Sequence, residues 1–314
     1  MAYTDDAVEK FSDPLHTADG QHRAHVAYRH TETLWFNTGT LCNIECASCY
    51  IESSPSNDRL VYLSLADVSP YLDELDAAGE TKIEIGITGG EPFMAPEILL
   101  ILEAALSRGH RVLLLTNAMQ PMQRPRIQEG LLNLRDRFGA ALTLRVSVDH
   151  YGAPRHDEER GIGAFDIMCA GLRWLALHGF QVSLAGRTFS DESEAELKAG
   201  YARLCRTLGL AIDVNDARQL VLFPEMEPEA SPPEITTACW GILNKDPTTL
   251  MCASQRMVVR RKGAKRASVL ACTLIPYDDR FELGHTLAEA RKSVSLNHPY
   301  CASFCVLGGG SCSA

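Results

Sequence analysis

The chain has 314 residues, 46% of them apolar and 22% charged, and its 40 acidic against 30 basic side chains give a net charge of −10. This composition is typical of a soluble globular protein that buries a sizeable core in one large α/β domain or two unequal ones. The acidic balance argues against a nucleic-acid partner, because such partners are bound by clustered Lys and Arg.

No apolar stretch reaches the roughly 20 residues that a membrane-spanning helix needs. The N-terminus has no basic segment followed by an apolar one, so it does not read as a secretory signal. Eleven cysteines in a chain without such a signal indicate metal ligation rather than disulfides. We therefore expect a cytoplasmic protein with no membrane partner.

From residue 33 onward, apolar runs that predict strands alternate with helical patterns. Strands are predicted at residues 34–37, 82–88, 111–116, 142–148 and 181–186, with a last strand near 212–214 or 219–222. Helices are predicted at residues 64–77, 96–107, 124–138, 164–177 and 192–208. Such alternation predicts a parallel sheet with right-handed crossovers. About six β/α units are too few for a complete (β/α)8 barrel.

The composition divides the chain into four parts. Residues 1–30 are polar and lack periodicity, so we expect an N-terminal extension that packs loosely. Residues 31–222 carry the β/α units. Residues 223–238 are rich in Pro and Glu and are interpreted as a linker. Residues 239–314 form a Cys-rich segment in which two β-branched runs around a Lys-Gly turn predict a β-hairpin.

Three cysteines, Cys42, Cys46 and Cys49, follow the first predicted strand within one short loop. Their thiolates can converge on one metal centre, but a tetrahedral zinc or a complete cubane needs a fourth ligand. Either a distant residue supplies that ligand, or one metal position is open for a ligand that takes part in chemistry. Buried free cysteines and half of a zinc site are the plainer alternatives.

The pattern Cys-x3-Cys-x2-Cys resembles the cluster loop of the radical S-adenosylmethionine (radical SAM) superfamily. The resemblance implies a partial (β/α)6 TIM-like barrel, a [4Fe–4S] cluster held by the three thiolates, and SAM bound at the fourth iron. It also implies an electron donor such as flavodoxin or ferredoxin. The chain departs from the family at Ser48, where an aromatic residue is common, although Tyr50 follows.

The sequence Gly89-Gly90-Glu91 follows the second predicted strand. Glycines let the backbone approach a ligand closely or adopt positive φ, and a carboxylate can accept from an ammonium group. Alone, the motif is compatible with a simple turn. By its resemblance to the family motif that contacts the SAM amino group, we assign that role to these three residues.

Polar residues also end the later strands, where parallel α/β proteins place their working groups. Asn117, Ser147 and Asp149 are candidates for binding the ribose or the carboxylate of SAM, with capping of the next turn as the alternative for each. Arg187 is a candidate for the SAM carboxylate, because Arg suits bidentate carboxylate recognition.

The C-terminal segment contains a second group of cysteines. The predicted hairpin brings Cys252 and Cys272 side by side, and Cys301 and Cys305 complete four ligands, enough for a whole cluster or for a structural zinc. The segment resembles the SPASM or Twitch extension, which implies an auxiliary [4Fe–4S] cluster. One auxiliary cluster is favoured over two. Cys312 is a candidate to replace one of these ligands or to act on substrate.

The function predicted by the resemblance is reductive cleavage of SAM to a 5′-deoxyadenosyl radical, which abstracts a hydrogen from a substrate. We expect a small-molecule substrate and a net oxidation or rearrangement in a biosynthetic pathway, because about 30 residues before the first strand leave no room for a leader-binding domain. A peptide- or protein-modifying maturase is the alternative enzyme. A structural zinc or iron–sulfur interaction protein is the alternative of another class.

Overall fold

The computed structural model describes residues 9–224 and 231–310. The strands are β1 (His25–Val26), β2 (Thr33–Asn37), β3 (Glu84–Thr88), β4 (Arg111–Thr116), β5 (Leu142–Asp149), β6 (Gln181–Arg187), β7 (Leu220–Phe223), β8 (Gln255–Val259), β9 (Ser268–Leu270), β10 (Glu282–Gly284) and β11 (Val294–Ser295). The helices are α1 (Leu65–Ala77), α2 (Ile98–Ser107), α3 (Gln120–Gln123), α4 (Pro125–Phe138), α5 (Ala153–Arg160), α6 (Ala164–Leu177), α7 (Glu194–Leu208) and α8 (Cys239–Ile242). A π-helical segment spans Cys301–Leu307.

The main sheet has nine strands in the order β10-β9-β8-β2-β3-β4-β5-β6-β7. Strands β2 to β7 pair in parallel as successive neighbours, with helices in the connections between them. The prediction of six β/α units is therefore confirmed, and the last of them uses the later of the two candidate strands. The sheet's edges are β7 and β10, so this is an open arrangement rather than a closed barrel.

The parallel strands are buried because helices cover their face and the sequence supplies continuous apolar runs. All five residues of β2 are buried, and Leu34, Ile85 and Leu114 on three adjacent strands are fully inaccessible. Helix α1 begins at a reciprocal capping box formed by Ser64 and Asp67. Cys169 and Cys205 lie buried in helices α6 and α7, as expected of core residues.

The C-terminal segment continues the main sheet. Strands β8 and β9 form the predicted antiparallel hairpin, with Gly263 at φ 81° between them, and β8 also pairs in parallel with β2. The division of the chain at residues 223–238 stays a prediction, because the sheet is continuous across it. Residues 225–230 of that linker lie outside the described residues.

Within residues 9–30 of the N-terminal extension, several side chains are buried against distant parts of the chain, so the expectation of loose packing was wrong for these residues. Arg23 is 1% exposed and its guanidinium pairs with Glu234 at 2.6 Å. Strand β1 pairs with β11, and the Ala24 N–H donates to the Ile235 carbonyl at 2.8 Å. The contacts come from a few isolated residues that meet distant parts of the chain, so they create no periodicity in the sequence. Residues 1–8 lie outside the described part.

Helix α5 was not predicted from the sequence. Its residues are mostly charged, so no apolar periodicity marks it, although Pro154 in its first turn and Gly161 directly after it are helix start and stop signals. In the described portion of the chain, no helix is both long and apolar enough to cross a membrane.

Candidate active site

A large cavity lies at the carboxyl ends of the parallel strands. Its volume is about 160 Å³, it opens to solvent, and it is lined by Cys42, Cys46 and Cys49 together with the ends of several strands. Enzymes of parallel α/β architecture place their sites at this end of the sheet. The three cysteines and the polar strand ends, separate in sequence, therefore meet in one place.

The cysteine loop is built by its own backbone. The Cys42 N–H donates to the Ser54 carbonyl at 3.0 Å, and the Cys49 N–H donates to the Cys46 carbonyl at 3.3 Å. Burial raises the pKa of Cys42 to about 12 and also raises that of Cys46. Thiolates in such surroundings need a cationic partner, which iron would supply, so the residues fit a metal centre.

Among the described side chains, no three of His, Cys, Asp or Glu converge on the position of a single metal ion. A cubane offers a separate iron to each thiolate, so the ligands of a cluster need not converge in that way.

Helix α5 and strand β6 hold the outer side of the cysteine loop through Ser48. The Ser48 hydroxyl donates to the Glu159 carboxylate, and its carbonyl accepts from Arg187 at 3.3 Å. The neighbouring Ala47 N–H donates to the Glu159 carbonyl at 2.9 Å. The residue at which the chain departs from the family pattern thus forms a polar attachment to an element that the sequence reading missed.

Gly89 and Gly90 form part of the cavity wall. A Cβ at Gly90 would lie 2.2 Å from the Leu41 carbonyl oxygen, and Gly89 has φ 142°, where side chains are strained. Only glycine therefore lets the end of β3 lie against the chain that leads into the cysteine loop. The backbone at this point is open to a ligand in the cavity.

Glu91 lies behind that wall rather than on it. The residue is 1% exposed, and its carboxylate accepts from the Asn117 N–H at 2.8 Å, the Phe93 N–H at 3.2 Å and the Thr116 hydroxyl at 2.9 Å. Burial raises its pKa to about 7 in spite of these donors. In this structure the carboxylate joins the ends of β3 and β4, and only the two glycines of the motif face the cavity.

Asn117 and Ser147 both line the cavity, at the ends of β4 and β5. The Asn117 side chain is already engaged, since its amide donates to Asn43 Oδ1 at 2.9 Å and its oxygen accepts from the Met119 N–H at 2.9 Å. Ser147 precedes a shift in the pairing of β5 with β6. The two predicted positions thus lie together, with Asn117 also fixing the turn after its strand.

Asp149 sits in a strained turn that aims its side chain. Its φ is 53°, and the His150 N–H donates back to the Val148 carbonyl at 2.6 Å, which closes a γ-turn. The carboxylate bonds Arg160 Nε at 2.6 Å and Arg187 Nε at 3.0 Å. Burial works to raise the pKa of Asp149, but the two guanidinium groups outweigh it and hold the pKa below its usual range.

Arg160 is the site residue that the sequence reading did not find. It ends α5, lines the cavity, and its guanidinium is only 10% exposed. Among the described residues its one side-chain hydrogen bond joins Nε to Asp149, so its two terminal nitrogens remain available. Arg187, the residue predicted for carboxylate recognition, is instead bonded to both Asp149 and the Ser48 carbonyl.

The C-terminal cysteines meet around a second, smaller cavity. It has a volume of about 30 Å³ and is lined by Cys252, Cys272, Cys301 and Cys305. Burial raises the pKa of Cys252 to about 11 and that of Cys301 well above its usual value. Four thiols in low-dielectric surroundings fit a metal centre for the reason given for the first loop. Thr273 lines both cavities, so the two adjoin.

Cys239 is not among the residues that line the second cavity. It begins α8, and its sulfur accepts from the Thr236 N–H at 3.4 Å. Cys312 falls outside the described residues.

Comparison with protein families gives one match, to the model described as the radical SAM superfamily, over residues 36–199. This span is just over half of the chain and contains the cysteine loop, the glycine pair and α5.

Two curated proteins are similar over part of the chain. The antilisterial bacteriocin subtilosin biosynthesis protein AlbA of Bacillus subtilis (strain 168) is 31% identical over 149 residues, which are 47% of this chain and 31% of AlbA. The AdoMet-dependent heme synthase of Methanosarcina barkeri is 32% identical over 169 residues, which are 54% of this chain and 45% of that protein. The matched regions thus span less than half the length of either relative.

Among solved structures, Streptococcus suis SuiB bound to S-adenosylmethionine has a TM-score of 0.56 at 14% identity, covering 81% of this chain and 63% of SuiB. SuiB bound to the precursor peptide SuiA has a TM-score of 0.52 at 12% identity, covering 78% and 60% of the two chains. At these identities the likeness shows that the fold is shared.

Proposed function

The chain belongs to the radical SAM superfamily, whose members use a [4Fe–4S] cluster and SAM, and on that premise we propose that it cleaves SAM reductively and abstracts a hydrogen from a substrate held in the large cavity. One observation carries the proposal. Three cysteines with no fourth protein ligand in their loop share a solvent-open cavity with the glycine pair and a buried arginine. That arrangement provides three metal ligands and a place for an exchangeable fourth.

Cys42, Cys46 and Cys49 would hold the cluster. The backbone at Gly89 and Gly90 would approach the amino end of SAM, with Glu91 positioning that backbone from behind. Asn117 and Ser147 would border the ribose.

Arg160 would bind the SAM carboxylate, because the residue lines the cavity and its terminal nitrogens have no other described partner. Asp149 would orient it, while Arg187 would hold the cysteine loop at Ser48.

When bound and reduced, the cluster supplies the electron that splits SAM into methionine and a 5′-deoxyadenosyl radical. The protein's part is to orient the reactants and to exclude water. The apolar side chains of the cavity serve the second purpose, among them Trp35, Leu274 and Phe304, which are each no more than 3% exposed. An electron donor such as flavodoxin or ferredoxin would reduce the enzyme between turnovers.

We also propose that Cys252, Cys272, Cys301 and Cys305 hold an auxiliary [4Fe–4S] cluster. The support is that all four line one cavity, which shares Thr273 with the active-site cavity. A cluster held there would supply an acceptor for the electron left on a substrate radical, which would give a net oxidation. A structural zinc at the same ligands is the competing occupant.

The experiment is anaerobic reconstitution with iron and sulfide, followed by reduction in the presence of SAM. We expect a brown protein that forms 5′-deoxyadenosine, and no product when the reductant is omitted. A colourless protein that binds zinc and leaves SAM intact would overturn the proposal and favour a structural metalloprotein.

The substrate is proposed to be a small molecule, and a peptide is the second candidate. The second candidate is favoured by two relatives, a bacteriocin biosynthesis protein and SuiB, which was solved with a precursor peptide. The two are distinguished by dividing an extract of the host by ultrafiltration and measuring which fraction stimulates 5′-deoxyadenosine formation. Stimulation by the small-molecule filtrate supports the first candidate, and stimulation by the retained peptides and proteins supports the second.

A further inference from the structure

The turn at Asp149, at the end of β5, has to be held in place by its surroundings. Its φ of 53° lies in the left-handed region, which residues with a side chain adopt only at a cost in free energy. Such a conformation persists where neighbouring contacts determine it. The Asp149 carboxylate bonds both Arg160 and Arg187. A residue that fixes this turn therefore also fixes the two arginines that line the large cavity.

Tyr201 of α7 contacts the backbone of this turn. Its side chain is fully buried, and its hydroxyl donates to the Asp149 carbonyl oxygen at 2.7 Å. The bond joins residues that are 52 positions apart in the sequence, so it ties α7 to the end of β5. Removing such a donor inside a protein leaves the carbonyl poorly compensated for its lost hydration, and the turn would then be free to change its conformation.

Gly186 provides the space for this hydroxyl. It is the β6 residue that pairs with Asp149, and a Cβ at Gly186 would lie 2.2 Å from the Tyr201 hydroxyl oxygen. A side chain at this position would therefore displace the tyrosine, because protein interiors are close-packed. The Tyr201 hydroxyl thus fills a gap between the ends of β5 and β6.

The residue that follows the turn is held by other contacts. His150 is 6% exposed, its Nε2 bonds the Glu192 carboxylate at 3.0 Å, and its Nδ1 accepts from the Gly152 N–H at 2.9 Å. These contacts fix the chain beyond the turn, whereas Tyr201 bonds the carbonyl of the strained residue itself. Tyr201 is therefore the contact through which α7 acts on Asp149.

We propose that Tyr201 is a positioning residue for SAM. Its hydroxyl holds the turn in the conformation in which the Asp149 carboxylate orients Arg160. The inference rests on the proposed function, in which Arg160 binds the SAM carboxylate. Tyr201 is not among the described residues that line the large cavity, so it acts on the ligand through Asp149 and Arg160 rather than by touching it.

Tyr201→Phe removes the hydroxyl and keeps the ring. We expect SAM binding to the reconstituted, unreduced enzyme to weaken by about three- to tenfold, because the turn can relax when the bond is lost. Equilibrium dialysis measures the affinity. Tyr71→Phe is the matched control, since Tyr71 is also buried and its hydroxyl donates to the His285 carbonyl at 3.0 Å. Tyr71 is not among the described residues that line either cysteine cavity.

Urea unfolding of the metal-free variants separates positioning from stability. Each variant loses one hydrogen bond to a carbonyl, so both should be destabilised to a similar extent. Only Tyr201→Phe should lose affinity for SAM. An equal loss of SAM affinity in the two variants, or no loss in Tyr201→Phe, would show that the hydroxyl has a structural role only and would overturn the inference.

A double variant tests the route through Arg160. Once Arg160→Gln has removed the partner of the SAM carboxylate, adding Tyr201→Phe should weaken SAM binding by less than about twofold. Losses that add in full would overturn the inference, because Tyr201 would then act independently of Arg160.

The single variants separate this inference from the proposed function. If Arg160→Gln weakens SAM binding and Tyr201→Phe does not, the inference alone fails. If Arg160→Gln leaves SAM binding unchanged, the proposed role of Arg160 fails and the inference fails with it. Formation of 5′-deoxyadenosine by the unaltered enzyme tests SAM cleavage independently of both.

Discussion

The two cavities are both lined by cysteines, but they differ in the number of cysteines and in what the nearby arginine is bonded to. The first has three cysteines, opens to solvent and contains Arg160, whose terminal nitrogens are unengaged by described residues. The second has four cysteines, and its arginine, Arg256, donates to the backbone carbonyls of Cys252, Ala290 and Lys292. Under the proposed assignment, the first cavity leaves a ligand position and a cation for an incoming molecule. The second would supply four ligands, and its cation fixes the backbone.

The largest effect on SAM cleavage is expected from removing the cysteines of the first cavity, and removing those of the second cavity is the comparison. Replacing Cys42, Cys46 and Cys49 by Ala should abolish SAM cleavage, a loss of about 10⁶-fold or more, and lower the iron from about eight to about four per chain. Cys252→Ala with Cys272→Ala should also leave about four irons but retain the spectral change of the first cluster on adding SAM. Iron analysis and electron paramagnetic resonance measure both. Loss of all iron in either variant would contradict two independent sites.

Arg160→Gln should weaken SAM binding by about 10- to 100-fold, the magnitude of a lost charge-assisted hydrogen bond. Arg187→Gln should weaken it by a few-fold at most, because Arg187 is bonded to Asp149 and Ser48 rather than left available. Equilibrium dialysis of SAM with the reconstituted, unreduced enzyme compares the two. A larger effect at Arg187 would indicate that Arg187, the residue predicted from the sequence, binds the SAM carboxylate.

Ser48→Ala should loosen the first cluster loop and leave the second cluster unchanged. Losing one side-chain hydrogen bond corresponds to roughly five- to tenfold faster release of iron from the first site to a chelator. Glu159→Ala should have a similar effect, and the double variant should be little worse than either single one, because both remove the same bond.

The matched control for this pair is Ser193→Ala. It breaks the equivalent Ser–Glu contact with Glu196 at the start of α7, away from both cavities, so iron release should be unchanged. Equal acceleration by the control would mean that Ser48 acts only through general stability.

The smallest expected effect is a loss of folding stability at acid pH. It arises in α5, the helix that also carries Arg160. His156 is fully buried, its Nδ1 bonds the Val148 carbonyl and its Nε2 has no described partner. Burial lowers the pKa of His156, with Arg160 opposing protonation and Asp149 and Asp157 favouring it. Because the folded pKa lies below the unfolded one, the unfolded state takes up the proton first. The stability that His156 contributes is complete above pH ~6.5 and is lost as the pH falls towards the folded value.

His156→Gln should flatten this acid dependence, since glutamine can still donate to the Val148 carbonyl but does not titrate. Urea unfolding of the metal-free protein at several pH values measures it. An unchanged pH profile in the variant would show that the acid sensitivity has another origin.

Much of the α/β part could be predicted because its signals are local. Strand β4 contains Val112-Leu113-Leu114-Leu115, an apolar run that is typical of a strand buried on both faces. Ser64 and Asp67 are capping residues that mark the start of α1. The cysteine loop, Gly89 and Gly90 were found because metal ligation and close backbone approach demand specific residue types at short spacing.

The features that sequence reasoning missed depend on contacts between distant residues. Arg160 lies on a polar helix without an apolar stripe, and its role follows from meeting Asp149 and the cavity in space. Glu91 was assigned to ligand binding, and its burial behind the glycines results from the donors at Asn117 and Thr116 on the next strand. Arg23 can be buried because it forms an ion pair with Glu234, which is more than 200 residues away in the sequence.

The order of residues was enough to establish the repeating β/α architecture and the membership of the family, and it singled out the three-cysteine loop as the candidate cluster site. Those properties are written in periodicity and in residue types that few others can replace. The folded arrangement decided which described arginine keeps its terminal nitrogens unbonded and which carboxylate is bonded inside the protein. Each of these depends on burial and on partners from separate strands, and the free energies of charges and hydroxyl groups are set by such surroundings rather than by neighbours along the chain.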